Sequence, residues 1–198
     1  MDFGLALNAA PKIKICQNVP SLKECSTRNC TKPHQLVWCN WDEISEIIMP
    51  SIYTTIEINA PRQKVWQALV RKEAWKYWNT FLYDCDVQQP FKQGREVWLS
   101  LRRVPGDEET EFQPLVTLIQ PGVCLRWVAS IPGFVNEHVF ELQSIGLDRT
   151  QYIHQENFSG ILTRVILPFV RQDELQGIRR MARELKNYVE SSVVDSRR

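Results

Sequence analysis

The sequence has no apolar run near the roughly 20 residues that cross a bilayer as a helix, so no membrane-spanning segment is predicted. It has almost no charge bias, with 24 Lys and Arg against 23 Asp and Glu and a net charge of +1. Long-range attraction to nucleic acid or to an anionic membrane surface has no source in that balance, and neither partner is expected. Glycine is scarce, and none of it forms a P-loop or a G-x-G-x-x-G turn. A G-x-S-x-G nucleophile elbow is missing too. The apolar patch in residues 1–16 is too short and badly flanked for a secretory signal. The predicted compartment is the cytoplasm, where cysteines stay reduced.

What is present is globular. Hydrophobic residues make up 43% and charged residues 24%, enough for a core without disulfide staples. Four of the six cysteines (Cys16, Cys25, Cys30 and Cys39) precede residue 40, with His34 among them. Structural zinc modules usually carry close C-x2-C pairs, and no such pair exists here. These are read as thiols in a loose segment, and no metal or cofactor is predicted. Residues 1–48 are assigned to a poorly structured extension with a short helix over 41–48. Met49 is an alternative start.

Regular patterning begins at Ser51. In 51–59 the residues Ile52, Thr54, Ile56 and Ile58 share one face, as in a half-buried strand. Asn59-Ala60-Pro61 then opens a helix that sends Val65, Trp66 and Leu69 to one side. A second short helical piece ends at Asn79. About six strands follow, separated by turns at Gly94, Gly106, Gly122, Gly133 and Gly146. Pro114, inside a predicted strand, implies a bulge or an edge. An apolar stretch then closes at Pro168, and from Arg171 a long amphipathic helix repeats Leu175, Ile178, Ala182, Leu185 and Val189. Its other face carries Arg179, Arg180, Arg183 and Lys186, a solvated stripe or, alternatively, a membrane-docking one. Residues 193–198 are expected to fray. Hairpin-linked strands with helices on one side make the fold class α+β.

Several segments, in this order, resemble the START-like or Bet v 1-like superfamily, and in particular its SRPBCC branch of polyketide cyclase/dehydrase-like proteins. Residues 56–69 are similar to that family's strand, Ala-Pro and Val-Trp helix. Residues 77–81 are similar to its Trp-Asn-Pro-Phe turn, with Thr80 in place of Pro. Residues 125–142 are similar to its Leu-x-Trp and His-x-Phe-x-Leu strand pair, and 150–162 to its Glu-x-Phe-x-Gly-x-Leu segment. Ala129 and Ile178 stand where the family commonly has Gly and Phe. The resemblance covers roughly 51–190, within a domain assigned to 49–192. It implies a helix-grip fold, in which a curved antiparallel sheet wraps a long C-terminal helix around a cavity for a hydrophobic ligand.

Alternation supplies candidate walls independently. Predicted ligand-binding residues are Trp66, Trp78, Phe81, Leu99, Leu101, Trp127, Phe140, Tyr152, Phe158, Ile178 and Met181, together with three polar residues of the same parity, His138, His154 and Glu156. An ionisable group facing an apolar pocket is costly unless it is paired or wet. One reading has these three orient a lipid, isoprenoid or polyketide-like ligand. Another makes an imidazole the general base of a cyclase or dehydratase, with Glu156 fixing its tautomer. A plain His–Glu pair pinning two strands is the third. A protein-interaction module, with no connected cavity, is the remaining alternative.

Overall fold

The computed structural model describes residues 50–195. The expectations for the cysteine-bearing segment, His34, the helix at 41–48 and the start at Met49 lie outside the described residues, as do 196–198. The elements run β1 (Ser51–Ile58), α1 (Arg62–Val70), a 3-10 turn (Lys72–Tyr77), β2 (Leu82–Asp84), β3 (Leu99–Leu101), β4 (Thr110–Phe112), β5 (Leu115–Gln120), β6 (Cys124–Ile131), β7 (Phe134–Gly146), β8 (Arg149–Ser159) and α2 (Thr163–Asp195).

The strands form two antiparallel sheets, ordered β1-β8-β7-β6-β5 and β2-β3-β4. Two predicted strands are shorter than their alternation suggests. Residues 95–103 pair only at Leu99–Leu101, with Glu96 bridging to Leu115 of the other sheet. The stretch 109–119 is cut at Pro114 into β4 and β5, which belong to different sheets. Proline has no N–H to continue the ladder, so the chain changes partners there.

The long helix also differs from expectation at its start. It begins at Thr163 and contains Pro168, eight residues before the predicted Arg171. Proline in the second turn leaves the carbonyl of Arg164, an exposed residue, without its helical partner. Ile161, Val165 and Phe169 are exposed there. At the other end the helix runs through residues 193–195, which were expected to fray.

Further along α2 the amphipathic reading holds. Leu167, Ile178, Met181, Ala182, Leu185 and Val189 are buried against the five-stranded sheet and α1. Two members of the basic stripe are structural. Arg180 donates to the carbonyls of Arg102 at 2.7 Å and Arg103 at 3.2 Å, and Lys186 donates to Glu57 O at 2.6 Å. Both clamp the helix to neighbouring elements, while Arg179 and Arg183 are exposed.

Gly177 is buried on this helix against the Phe81 ring, and a Cβ built there would meet the ring. Gly177→Ala is therefore expected to destabilise the fold by about 1–3 kcal/mol through overpacking. Removing a helical glycine alone would stabilise by about 1 kcal/mol. Urea unfolding of the two proteins gives the sign directly, and a more stable variant would mean that Phe81 moves aside freely.

Candidate functional site

The centre of the five-stranded sheet presents a grid of side chains to α2. Register places Trp127, His138, Glu156 and Ile52 in one row across β6, β7, β8 and β1. The next row holds Leu125, Phe140, His154 and Thr54. Ala129, Asn136 and Phe158 form the row on the other side. His138, His154 and Glu156 are each at most 1% exposed, so all three polar residues of the apolar parity point inward.

They touch one another. His138 Nδ1 lies 3.3 Å from His154 Nε2 and 3.4 Å from Glu156 Oε1. Asn136 Nδ2 donates to Glu156 Oε2 at 3.1 Å and sits 3.1 Å from His138 Nε2. Aromatic rings surround the group: Trp127 centres 5.5 Å from His138, and Phe140 4.1 Å from His154.

Burial dominates the electrostatics. It lowers the pKa of His138 to about 3, helped by the nearby Arg103 charge, and lowers that of His154 well below the ordinary imidazole value, with His138 adding to the effect. Burial and the neighbouring Glu174 push Glu156 well above the usual carboxylate range, against the opposing pull of the Asn136 hydrogen bond and Arg103. Burial likewise raises the Tyr152 phenol. At neutral pH the two imidazoles are uncharged, because a lone charge in this environment is too costly.

Above this group opens a cleft of about 420 Å3 between the end of β6–β7, the three-stranded sheet and α2. Its apolar lining includes Leu101, Phe112, Ala129, Ile131 and Phe134. Its polar lining includes Asn136, His138, Arg103 and Glu174, the last two joined at 2.6 Å from Nε to Oε1. Two cleft-lining residues have a buried polar atom without a hydrogen-bond partner within the protein, Asn136 Oδ1 and Glu174 Oε2, and so do Glu156 Oε1, His154 Nδ1, Tyr152 Oη and Trp127 Nε1 in the side chains packed around His138 and His154. Buried polar groups are nearly always satisfied, so this concentration is unusual.

The predicted residues divide into three groups. Leu101 and His138 line the cleft. Trp127, Phe140, Tyr152, His154 and Glu156 form the layer around and beneath His138. Trp66, Trp78, Phe81, Leu99, Phe158, Ile178 and Met181 are buried in the core and do not line the cleft; Trp78 stacks on Tyr188 instead. Sequence reasoning missed Asn136, Arg103 and Glu174. Each carried a signal. Asn136 shares the parity of His138 and Phe140, Arg103 continues Leu99 and Leu101, and Glu174 precedes Ile178 by four residues on the buried face of α2.

Solved structures share this architecture. A START superfamily protein from Mycobacterium smegmatis superposes with a TM-score of 0.57 at 20% identity, over 71% of this chain and 97% of that one. Ara h 8.0201 gives 0.57 at 13% identity, over 72% and 98%. The chain has a START/Bet v 1-like fold. Another neighbour of this START-like domain is a protein from the dynemicin biosynthetic locus, with a TM-score of 0.54 at 17% identity over 72% of this chain and 48% of that one. No protein-family model and no curated protein matches the sequence. Among the described residues, no helix of the START-like domain is long and apolar enough to cross a membrane.

Proposed function

We propose that this START-like domain binds a small amphipathic molecule, with an apolar body along Leu101, Phe112, Ile131 and Phe134 and a polar head on Asn136 and His138. The observation that carries the reading is a cleft with apolar walls whose lining includes buried, unpartnered polar atoms of Asn136 and Glu174, beside further ones packed around His138. A cleft of about 420 Å3 falls in the range of small-molecule sites, and apolar walls with a few convergent polar groups are their usual construction. The fold supports it as well, since the START/Bet v 1-like resemblance implies hydrophobic ligands of the lipid, isoprenoid or polyketide kind. A cytoplasmic carrier or sensor is the setting that fits this reading.

The binding reading is favoured over a cyclase or dehydratase by the state of the imidazoles. A general base works best with a pKa near the operating pH. Burial lowers His138 to about 3, so it is a hydrogen-bonding group at neutral pH and a poor proton acceptor.

The test is titration of the full chain with 8-anilinonaphthalene-1-sulfonate, which has an aromatic body and an anionic head. Saturable binding at one site per chain is expected. Ala129→Trp, which places an indole in the cleft, should weaken it at least tenfold. Affinity unchanged by Ala129→Trp would place the dye elsewhere and sink the reading.

A further inference from the structure

We propose that His138, His154 and Glu156 form a binding site for a divalent first-row transition metal, with two imidazole nitrogens and one carboxylate oxygen as ligands. The geometry is the first support. His138 Nδ1, His154 Nε2 and Glu156 Oε1 are separated by 3.3, 3.4 and 4.0 Å. Three points at those spacings lie on a circle of radius about 2.1 Å, and bonds from such ions to imidazole nitrogen and carboxylate oxygen are about 2.0–2.2 Å. A point at the circle's centre is about 2.1 Å from all three atoms, the length of such a bond.

The hydrogen bonding is the second support. A network built only to pin two strands would satisfy its own members. Here Glu156 Oε1, the oxygen facing both imidazoles, has no hydrogen-bond partner, and neither has Asn136 Oδ1. Coordination through Nδ1 requires the His138 proton to sit on Nε2. A half-turn of the Asn136 amide, which lies beside Nε2, lets Oδ1 accept that proton, the outer contact a metal-bound imidazole normally makes.

The charge count gives the third. Ligation takes the neutral imidazole and the carboxylate form of each side chain. Glu156 is the one anionic ligand of the three. Arg103 and Glu174 cancel each other nearby. The ion with Glu156 then leaves one uncompensated positive charge under the cleft, so an anionic head group or a hydroxide is the natural fourth ligand. This proposal shares His138 and Asn136 with the binding reading above but needs no apolar ligand, so either can fail without the other.

The experiment uses the full chain, stripped with chelator, in two versions. One has the native sequence. The other carries Ser at positions 16, 25, 30 and 39 and His34→Ala, which removes the remaining concentration of soft donors. Each is titrated with Co2+ and Zn2+, following the cobalt ligand-field absorption and the metal content after gel filtration. One ion per chain is expected in both versions. Glu156→Gln and His154→Ala should each weaken it about 100-fold or more. Glu156→Gln mimics the protonated acid in shape and hydrogen bonding, so it folds even if the histidine variant does not, and circular dichroism checks both. Loss of all binding in the version without the N-terminal donors overturns the site, and so does binding that survives in folded Glu156→Gln.

Discussion

Asp84→Ala lowers the free energy of unfolding by about 3–5 kcal/mol, the usual cost of stranding a buried charge. Its partner is Lys72, at the start of the 3-10 turn and 2% exposed. The ammonium pairs with Asp84 and donates to Asp86 O at 2.5 Å. Asp84 Oδ1 also accepts the Asp86 N–H at 3.1 Å, so the carboxylate holds both the lysine and the turn after β2. Without it the lysine must ionise in an apolar surrounding, lose its proton, or drag the turn open. Lys72→Met with Asp84→Leu should recover most of the loss, since an apolar pair avoids desolvation. Urea unfolding at pH 7 compares the three proteins. A single-variant loss below about 1 kcal/mol would mean that the pair is wetter than its burial indicates. The consequence reaches the cleft, because β2 carries β3 and β4, and with them Leu101, Thr110 and Phe112 of the cleft wall.

The second large effect is a change in how stability depends on pH when Glu156 becomes Gln in the metal-free protein. The folded-state pKa of His138 and His154 lies below 6.5, so the unfolded chain binds protons that the fold refuses. Their contribution is complete above pH 6.5 and is lost on acidification towards the folded value, about 3 for His138. Glu156 has the opposite sign. Its folded pKa is well above 4.5, so its contribution is complete below pH 4.5 and is lost as pH rises towards the folded value. Glu174, raised by burial against the pull of Arg103, acts in the same direction as Glu156.

In the wild type these terms oppose one another above pH 4.5. Glu156→Gln deletes one falling term of about 1.4 kcal/mol per pH unit. The variant should therefore gain on the wild type by about that amount for each unit above pH 4.5 until the folded pKa is passed. Unfolding in urea with chelator at pH 5, 6 and 7 measures the difference. A gap that stays constant with pH would show that Glu156 titrates as it does in the unfolded chain.

Much of this was local and therefore legible. Alternation assigned β1, β6, β7 and β8 to their faces, and His138, His154 and Glu156 share the inward parity with Phe140 and Tyr152 in the chain itself. The helical repeat from Ile178 to Val189 is equally local. The start of α2 was not legible, because a proline in the second turn reads as a stop unless the residue whose carbonyl it strands is known to be exposed. Nor was the division of the predicted strands at 95–103 and 109–119 between two sheets. Period two says which way a side chain points and is silent about which strand lies alongside.

The sequence by itself determined the α+β class, the order of the elements, and the inward parity of His138, His154 and Glu156. Tertiary structure alone decided that Glu156 stands opposite His138, that Arg103 and Glu174 meet across the cleft, and that Trp66 and Trp78 are core and not cleft lining. The reason is range. Side-chain direction follows from the backbone dihedrals of a few adjacent residues. Strand register and the helix's position over the sheet are set by packing between segments far apart in the chain, and it is that packing which brings two imidazoles and a carboxylate within reach of a single ion.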